Sequence, residues 1–435
     1  MKMHRTIICV IACVLLQAGI TLGQSQEQVA GAAMSSGVFP VGLGATFING
    51  QTYYLINFMP EVGFGNFGLG LNVNLRYGTD GKLRSDYNSF SDYLRMIRYA
   101  RWAQKGDPFY IRIGQLDNAL LGHGFIMEGY ENSSSYDLRR TGMELDLNFN
   151  QFGIESMTSD LAHAGISGVR GYVKPLKLTP LDKIPVVNNF EIGATYVTDR
   201  TVNANITTDP SNINQRIDGH SMSIYGFDAG LPLLAYKTVK STLYMDYAKI
   251  VDYGNGAAAG IDFRFSGMGL VTINAKYERQ FNGDQFIPSY FNALYELDRY
   301  TGSVSSFRSK ADSLRTITKN EGNYGSIVVS ILNTFNIIGK YQAPVGVRDA
   351  GFFHAVLDVP DVIPSIVLNG GYDRKNIGSL FKLDENSLLY AEVGYKPVSF
   401  MIVSTVYQWT WALDNNGNYV SQKRIEPKVS FVYQF

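Results

Sequence analysis

Three features of this 435-residue chain predict an all-β fold, a transmembrane antiparallel up-and-down β-barrel. Apolar and polar residues alternate with period 2 along many short stretches, which is the strand pattern and not the helical one. Past the N-terminus no stretch reaches the roughly 18 apolar residues of a membrane helix, so any crossing of a bilayer must use strands. The links between stretches alternate short and long, the asymmetry of barrels with short periplasmic turns and long extracellular loops. Threading the alternation gives about 18 strands, within roughly 16 to 20. Aromatics make up 13% of the chain and charged residues 17%.

The N-terminus reads as a secretory signal. Lys2 and Arg5 precede an apolar run, Ile7 to Leu16, and small residues follow around Thr21–Gly23. A charged start, a short apolar middle and a small-residue cut are the parts of such a signal. The division is therefore 1–23 signal peptide, 24–40 N-terminal periplasmic segment and 41–435 barrel. Both cysteines, Cys9 and Cys13, lie in the signal, which leaves the mature chain without disulfides or cysteine-bound metal. Lys2 and Arg5 leave without an acid, so the formal charge falls from zero to two negative. Bulk charge does not point to nucleic acid.

The strands follow in order. Val41–Phe58 is one long strand, a hairpin or an inward plug. In Phe67–Tyr77 the apolar residues Phe67, Leu69, Leu71, Val73, Leu75 and Tyr77 oppose Gly68, Gly70, Asn72, Asn74 and Arg76. Similar alternation recurs in Phe190–Thr198, Ala257–Phe265 and Leu389–Tyr395. Charges sit opposite the apolar row, as they must, since a lipid-facing Arg or Lys at mid-bilayer costs about 2–4 kcal/mol. Short links are expected near 396–397, 359–363, 333–335, 267–268 and 150–151. Long ones are expected at 414–423, 373–386, 280–322, 199–219 and 117–140.

With polar faces inward, three successive strands supply a basic ladder: Arg76, then Arg95 and Arg101 on Tyr93–Trp102, then Arg112 on Phe109–Gln115. The next strands supply an acidic wall of Glu144, Asp146, Glu155 and Glu191. Facing walls of opposite charge either tune ion selectivity or pair with each other and with water. Arg98 breaks the pattern by sharing a face with Leu94, Met96, Ala100 and Trp102. It lies at the membrane interface, at a bulge, or in a partly helical segment.

Gln115–Asn132 is too apolar for an idle outside loop. It is expected either to fold inward as a constriction loop, with Asp117, Leu120, His123, Phe125, Glu128 and Glu131, or to cap the barrel as a lid or strand extension. In the inward case Glu128 and Glu131 face the basic ladder. The loop 280–322 carries Phe286, Tyr290, Phe291, Tyr295 and Tyr300. These aromatics either form a small core of the loop or are free to stack on sugars or grip a partner. His123, His163, His220 and His354 fall in separate segments without ligand spacing, so no metal is expected. No nucleophile–base constellation, phosphate loop or dinucleotide fingerprint is present, and neither an enzyme nor a cofactor is expected.

From Ile425 every second residue can face lipid: Ile425, Pro427, Val429, Phe431, Tyr433 and Phe435. This resembles the C-terminal signature of Gram-negative outer-membrane β-barrel proteins, whose last strand ends in an aromatic, usually Phe. Val429, Phe431, Tyr433 and Phe435 match it. The order Arg112-Ile113-Gly114-Gln115 is also similar to the passage from strand to constriction loop in several porins. The resemblance implies a last strand read by the barrel assembly machinery and closing against the first. It also implies periplasmic chaperones on the way, a surround of outer-membrane lipid and lipopolysaccharide, and room for a homo-oligomer. The implied function is a porin-like channel for passive diffusion of small hydrophilic solutes. The alternatives are a structural or adhesion barrel working through its outer loops, or a transporter of fatty-acid-type solutes.

Overall fold

In the computed structural model the described residues are 36–433, except 39–40, 49–50, 89, 134–139, 163–164, 185, 203–220, 268–269, 302–307, 333–334, 360–364, 399–400 and 414–418. The expected signal, 1–23, lies outside them. The described strands form one antiparallel sheet of 23 strands and a separate pair, Tyr300–Thr301 with Arg308–Ser309.

From Phe109–Gly114 to Tyr419–Tyr433 each strand of the large sheet pairs with the strand before it and the strand after it. The last strand then pairs with the first ones, Val429 opposite Val41 and Tyr433 opposite Gly37. The ladder thus returns to where the chain entered it, with a gap at Leu43 and Gly44 opposite Pro427, which has no N–H to pair. Ser36–Val38 already belongs to the sheet, so the sheet takes in the end of the 24–40 segment.

The start of the sheet resolves the ambiguity of Val41–Phe58. It is a hairpin of Val41–Ile48 and Gln51–Phe58. Glu61–Phe64 continues the second arm past Met59 and Pro60. Proline has no N–H for the ladder, so pairing lapses there, but the Pro60 carbonyl still accepts from the Leu71 amide at 2.8 Å. Phe67–Leu71 and Val73–Gly78 form the next arm in the same interrupted way. Only the first of these pairs onward with Ile97–Trp102. The free edge of the second is covered by the chain folding back, with the Arg84 amide donating to the Arg76 carbonyl at 2.7 Å.

The stretch Tyr93–Trp102 is not a single strand. Phe90–Leu94 is a short helix and the strand begins at Ile97. Gly70 lies opposite Tyr99 while Leu71 lies opposite Ile97, so Arg98 is an extra residue in a bulge. A bulge lets neighbouring residues share a face. Arg98 accordingly pairs with Glu61 next to Tyr99, which also bonds Glu61. The bulge and the helix, two of the three explanations open for Arg98, both occur.

Alternation sorts the side chains. On Val239–Ile250 Leu243, Met245 and Tyr247 are 46%, 64% and 39% exposed, whereas Tyr244 and Asp246 between them are 1% and 9% exposed. The outward set includes the apolar residues of the alternating stretches, such as Ile192, Tyr196, Ile261, Phe263, Val393 and Tyr395. No described helix is long and apolar enough to cross a membrane.

The links 65–66, 103–108, 149–151, 236–238, 268–270, 332–334 and 399–400 fall at one end of the sheet. Phe64, Phe67, Trp102, Phe109, Phe149, Phe152 and Tyr236 stand exposed beside them. One link at this end is long, 174–190. The long links 79–96, 115–141, 200–221, 283–319 and 376–386 fall at the other end. The strand Ser387–Val398 runs through the expected link at 396–397, and Tyr419–Tyr433 begins inside the expected loop 414–423.

Candidate functional site

The interior holds a plug made of two loops. The first leaves the strand Phe109–Gly114 at Gly114, whose φ is +130° and where a Cβ would sit 2.5 Å from the Arg98 carbonyl. Only glycine admits that turn. The chain then forms a narrow hairpin in which Ala119 and Tyr130 exchange backbone hydrogen bonds of 2.9 and 3.0 Å. Asn132, fully buried, ties its base by accepting from the Leu116 amide at 2.9 Å and donating to the Ser159 carbonyl at 3.0 Å.

The second loop, 283–319, lies on the first as a strand-like strip. The Ser289 amide donates to the Phe125 carbonyl at 2.8 Å, and the Glu128 amide to the Phe291 carbonyl at 3.1 Å. Phe125 packs on Phe286 at 5.5 Å between ring centres, and Phe291 on Tyr295 at 4.8 Å. With Leu116, Leu121, Met127, Tyr130 and Leu314 they form a dry core that also touches inward wall residues such as Met157, Ile166, Val197, Ile224 and Ala248. Residues 115–132 thus pack against inward side chains near the long-link ends of these strands. Phe286, Tyr290, Phe291 and Tyr295 form a core, shared with the first loop, and are not free to grip a partner, while the Tyr300 side chain lies outside the described residues. Arg299 holds this loop to the wall through Asp199 at 3.0 Å and to its own Glu296 at 2.9 Å.

The tip of the hairpin reaches deepest. The Gly122 amide donates to Glu155 at 2.8 Å, and His123 stacks on Tyr244 with 4.3 Å between ring centres. Burial pushes the His123 imidazole down to about 4, so it is neutral at ordinary pH. Its Nε2, 3.9 Å from Asp228, has no hydrogen-bond partner.

Charges placed by the sequence on opposite walls are mostly met by local partners. Arg76 pairs with Asp86 at 3.0 Å, and Arg112 with Asp117 at 2.7 Å. Arg101 donates to the Ala103 carbonyl at 2.9 Å. Arg95 lies between the helix and the strand, not on the strand as expected, and pairs with Asp92 at 3.1 Å. On the acidic wall Lys105 bridges Glu144 and Asp146 at 3.2 and 3.3 Å. Glu155 and Glu191 converge with Asp228 on Arg170 at 3.1, 2.6 and 2.6 Å. Arg170 is 2% exposed. It was not among the residues expected from sequence, although Ile166–Val173 alternates and Val169 marks the outer face.

Glu128 does not pair with the basic ladder. Glu128 reaches Lys276 at 3.3 Å and Lys340 at 3.6 Å, on two wall strands, and accepts from Tyr324 at 3.0 Å. Glu131 is half-buried, and burial together with the nearby Asp373 and Asp117 pushes its carboxyl well up. Leu120 is half-buried and Phe125 buried. Of the C-terminal row, Val429 and the backbone of Phe431 and Tyr433 lie in the last strand, and Phe435 is outside the described residues. No group of three or more His, Cys, Asp or Glu among the described residues is placed to hold a metal ion.

The Glu128 latch gives a pH prediction. Burial opposes its ionisation, but Lys276 and Lys340 outweigh burial and hold the carboxyl below its usual range. A depressed carboxylate contributes above its unfolded value, about 4.3, and loses that contribution as pH falls through the lower folded value. The Glu128 share of the hydrogen-exchange protection of 115–132, read as the difference between the protein and Glu128→Gln, should therefore hold from pH 8 to pH 5 and fall only below about pH 4. Loss of that difference already at pH 6 would refute the latch.

Between the plug and the wall lies a small cleft of about 20 Å³, onto which Asp117, Glu128, Glu131, Lys340, Tyr324 and His354 open. Charged groups stand on it, although more of its exposed lining is apolar than polar.

No protein-family model matches the chain, and no curated relative matches it. The chain is similar to outer-membrane β-barrels of known structure. One is OccK11 (OpdR) of Pseudomonas aeruginosa, 10% identical, with 92% of this chain and 95% of that one covered and a TM-score of 0.31. OccAB3 of Acinetobacter baumannii is 9% identical over 94% and 100% of the chains, with a TM-score of 0.35. Wzi of Escherichia coli, an outer-membrane carbohydrate-binding β-barrel involved in group 1 capsule assembly, is 11% identical over 93% and 85%, with a TM-score of 0.36. No residue role is carried over from any of them.

Proposed function

We propose that the chain is a transmembrane β-barrel of a Gram-negative outer membrane that passes small hydrophilic solutes through a lumen narrowed by its own loops. The outward apolar rows support the membrane setting, because a soluble monomer rarely exposes apolar patches larger than a few hundred Å². The returning ladder supports closure, which strands in hydrocarbon require. With each of the two interrupted arms counted as one stave, and Ser36–Val38 with Val41–Ile48 as another because both pair with the last strand, the twenty-three described strands make twenty, at the top of the expected range. A barrel of that size is wide enough for an aqueous interior. The short-link end is then periplasmic and the plug descends from outside.

The channel reading is carried by the charged groups on the cleft beside the plug, Glu128, Glu131 and Lys340. A dry plug alone would suit a sealed barrel, whereas a cleft with charged groups on its sides suits a narrow wet path. Burial of Phe286, Tyr290, Phe291 and Tyr295 removes four of the five aromatics that favoured an adhesion role. Purified protein in a planar bilayer should give small stepwise currents in potassium chloride. A silent bilayer, with the protein shown to be inserted, would overturn the proposal.

A further inference from the structure

The one long link at the short-link end, 174–190, is unlike its neighbours. It makes three 3₁₀ turns, Pro175–Leu178, Pro180–Lys183 and Val187–Asn189. None of the residues in these turns is buried, although Leu176, Leu178, Leu181 and Val187 are among them. Leu178, Leu181, Ile184 and Val187 are exposed and follow at every third place. They fall one in each turn, with Ile184 between the second and the third, so the aliphatic side chains stand exposed all along the link. Lys177 and Lys183 accompany them, with Lys174 at the start of the link beside Glu191, against one acid within it, Asp182.

The setting of the link decides what covers it. It joins Ile166–Val173 to Glu191–Asp199. Exposed Phe152 lies opposite Val173 on one side. On the other, the strand Met222–Ala235 leads to exposed Tyr236. The link therefore occupies a place in the girdle of exposed aromatics at this end, and the outward row continues above it in Val169 and Ile192.

We propose that 174–190 is an interfacial foot, seated in the periplasmic leaflet with its aliphatic residues among the upper acyl chains and its lysines at phospholipid phosphates. An apolar row beside basic residues is the arrangement by which short amphipathic segments lie in a bilayer interface. The proposal rests on the barrel reading.

The test uses the full chain with Cys9 and Cys13 changed to Ser and a single labelled Leu181→Cys. A polarity-sensitive dye is attached, and the protein is folded into phosphatidylethanolamine–phosphatidylglycerol vesicles carrying spin labels at shallow or deep positions. Ile261→Cys, in the outward row of a strand, serves as reference, and Ile184→Cys replaces Leu181→Cys if that variant does not fold. The foot predicts blue-shifted emission at Leu181→Cys, quenched at least twofold more by shallow than by deep labels. Quenching at Ile261→Cys with water-like emission at Leu181→Cys overturns the foot and leaves the barrel standing, with a periplasmic protein as the cover. Water-like emission at both positions overturns the barrel reading and the foot with it.

Discussion

Replacing Leu120–Gly129 by Asn-Gly should raise single-channel conductance at least about threefold, as expected when an inward loop is taken out of a barrel wide enough for an aqueous channel. Ala119 and Tyr130 already face each other as an antiparallel pair, so a two-residue turn can join them. The tie between Asn132 and Leu116 stays. The excised residues include the tip at Gly122 and His123, the Glu128 latch, and Phe125, Ile126 and Met127 of the dry core. The wall should survive, because its hydrogen bonds run between strands and not through the loop. Loss of the core will loosen 283–319, so the folded fraction must be checked by the electrophoretic shift between unheated and boiled samples. A folded variant with unchanged conductance would show that the hairpin does not narrow the path.

The second large effect is expected at Arg170. Arg170→Met removes the cation on which Glu155, Glu191 and Asp228 converge. Lys174, 3.6 Å from Glu191, relieves only one of the three. Removing one partner from a buried ion pair costs about 3–5 kcal/mol, since the remaining charge is left without compensation. The denaturation midpoint should fall accordingly. Adding Asp228→Asn to Arg170→Met should recover part of the loss, because neighbours in one network do not behave additively. A midpoint unchanged by Arg170→Met would mean that water satisfies the carboxylates and the cluster is not closed.

The wall was legible because its code is local. Period 2 places Ile261 and Phe263 on one face and Asp262 on the other, whatever the neighbouring strands do. That 115–132 is not an idle loop was also legible, since so many apolar residues have no reason to face water, but the choice between an inward loop and a lid was not. Register was not legible. The Arg98 bulge depends on which residue of Phe67–Leu71 lies opposite, and no local pattern encodes that. The Arg170 cluster joins residues of four strands whose alignment is set by their turns. The partnership of the two loops joins Met127 to Phe291 through a folded interior, and nothing in either loop alone names the other. Glu128 was assigned to the nearer arginines in sequence, but the hairpin carries it past them to Lys276 and Lys340.

The seam between Val41–Ile48 and Tyr419–Tyr433 has a kinetic consequence. Its partners come from the first and last strands of the sheet, so a ribosome must nearly finish the chain before the final pairing can form. Contacts of such high order are slow. Until they form, two unpaired strand edges remain as templates for aggregation. Synthesis and maturation of this protein are therefore separate events, and whatever shields it in the interval must recognise an unfinished ribbon.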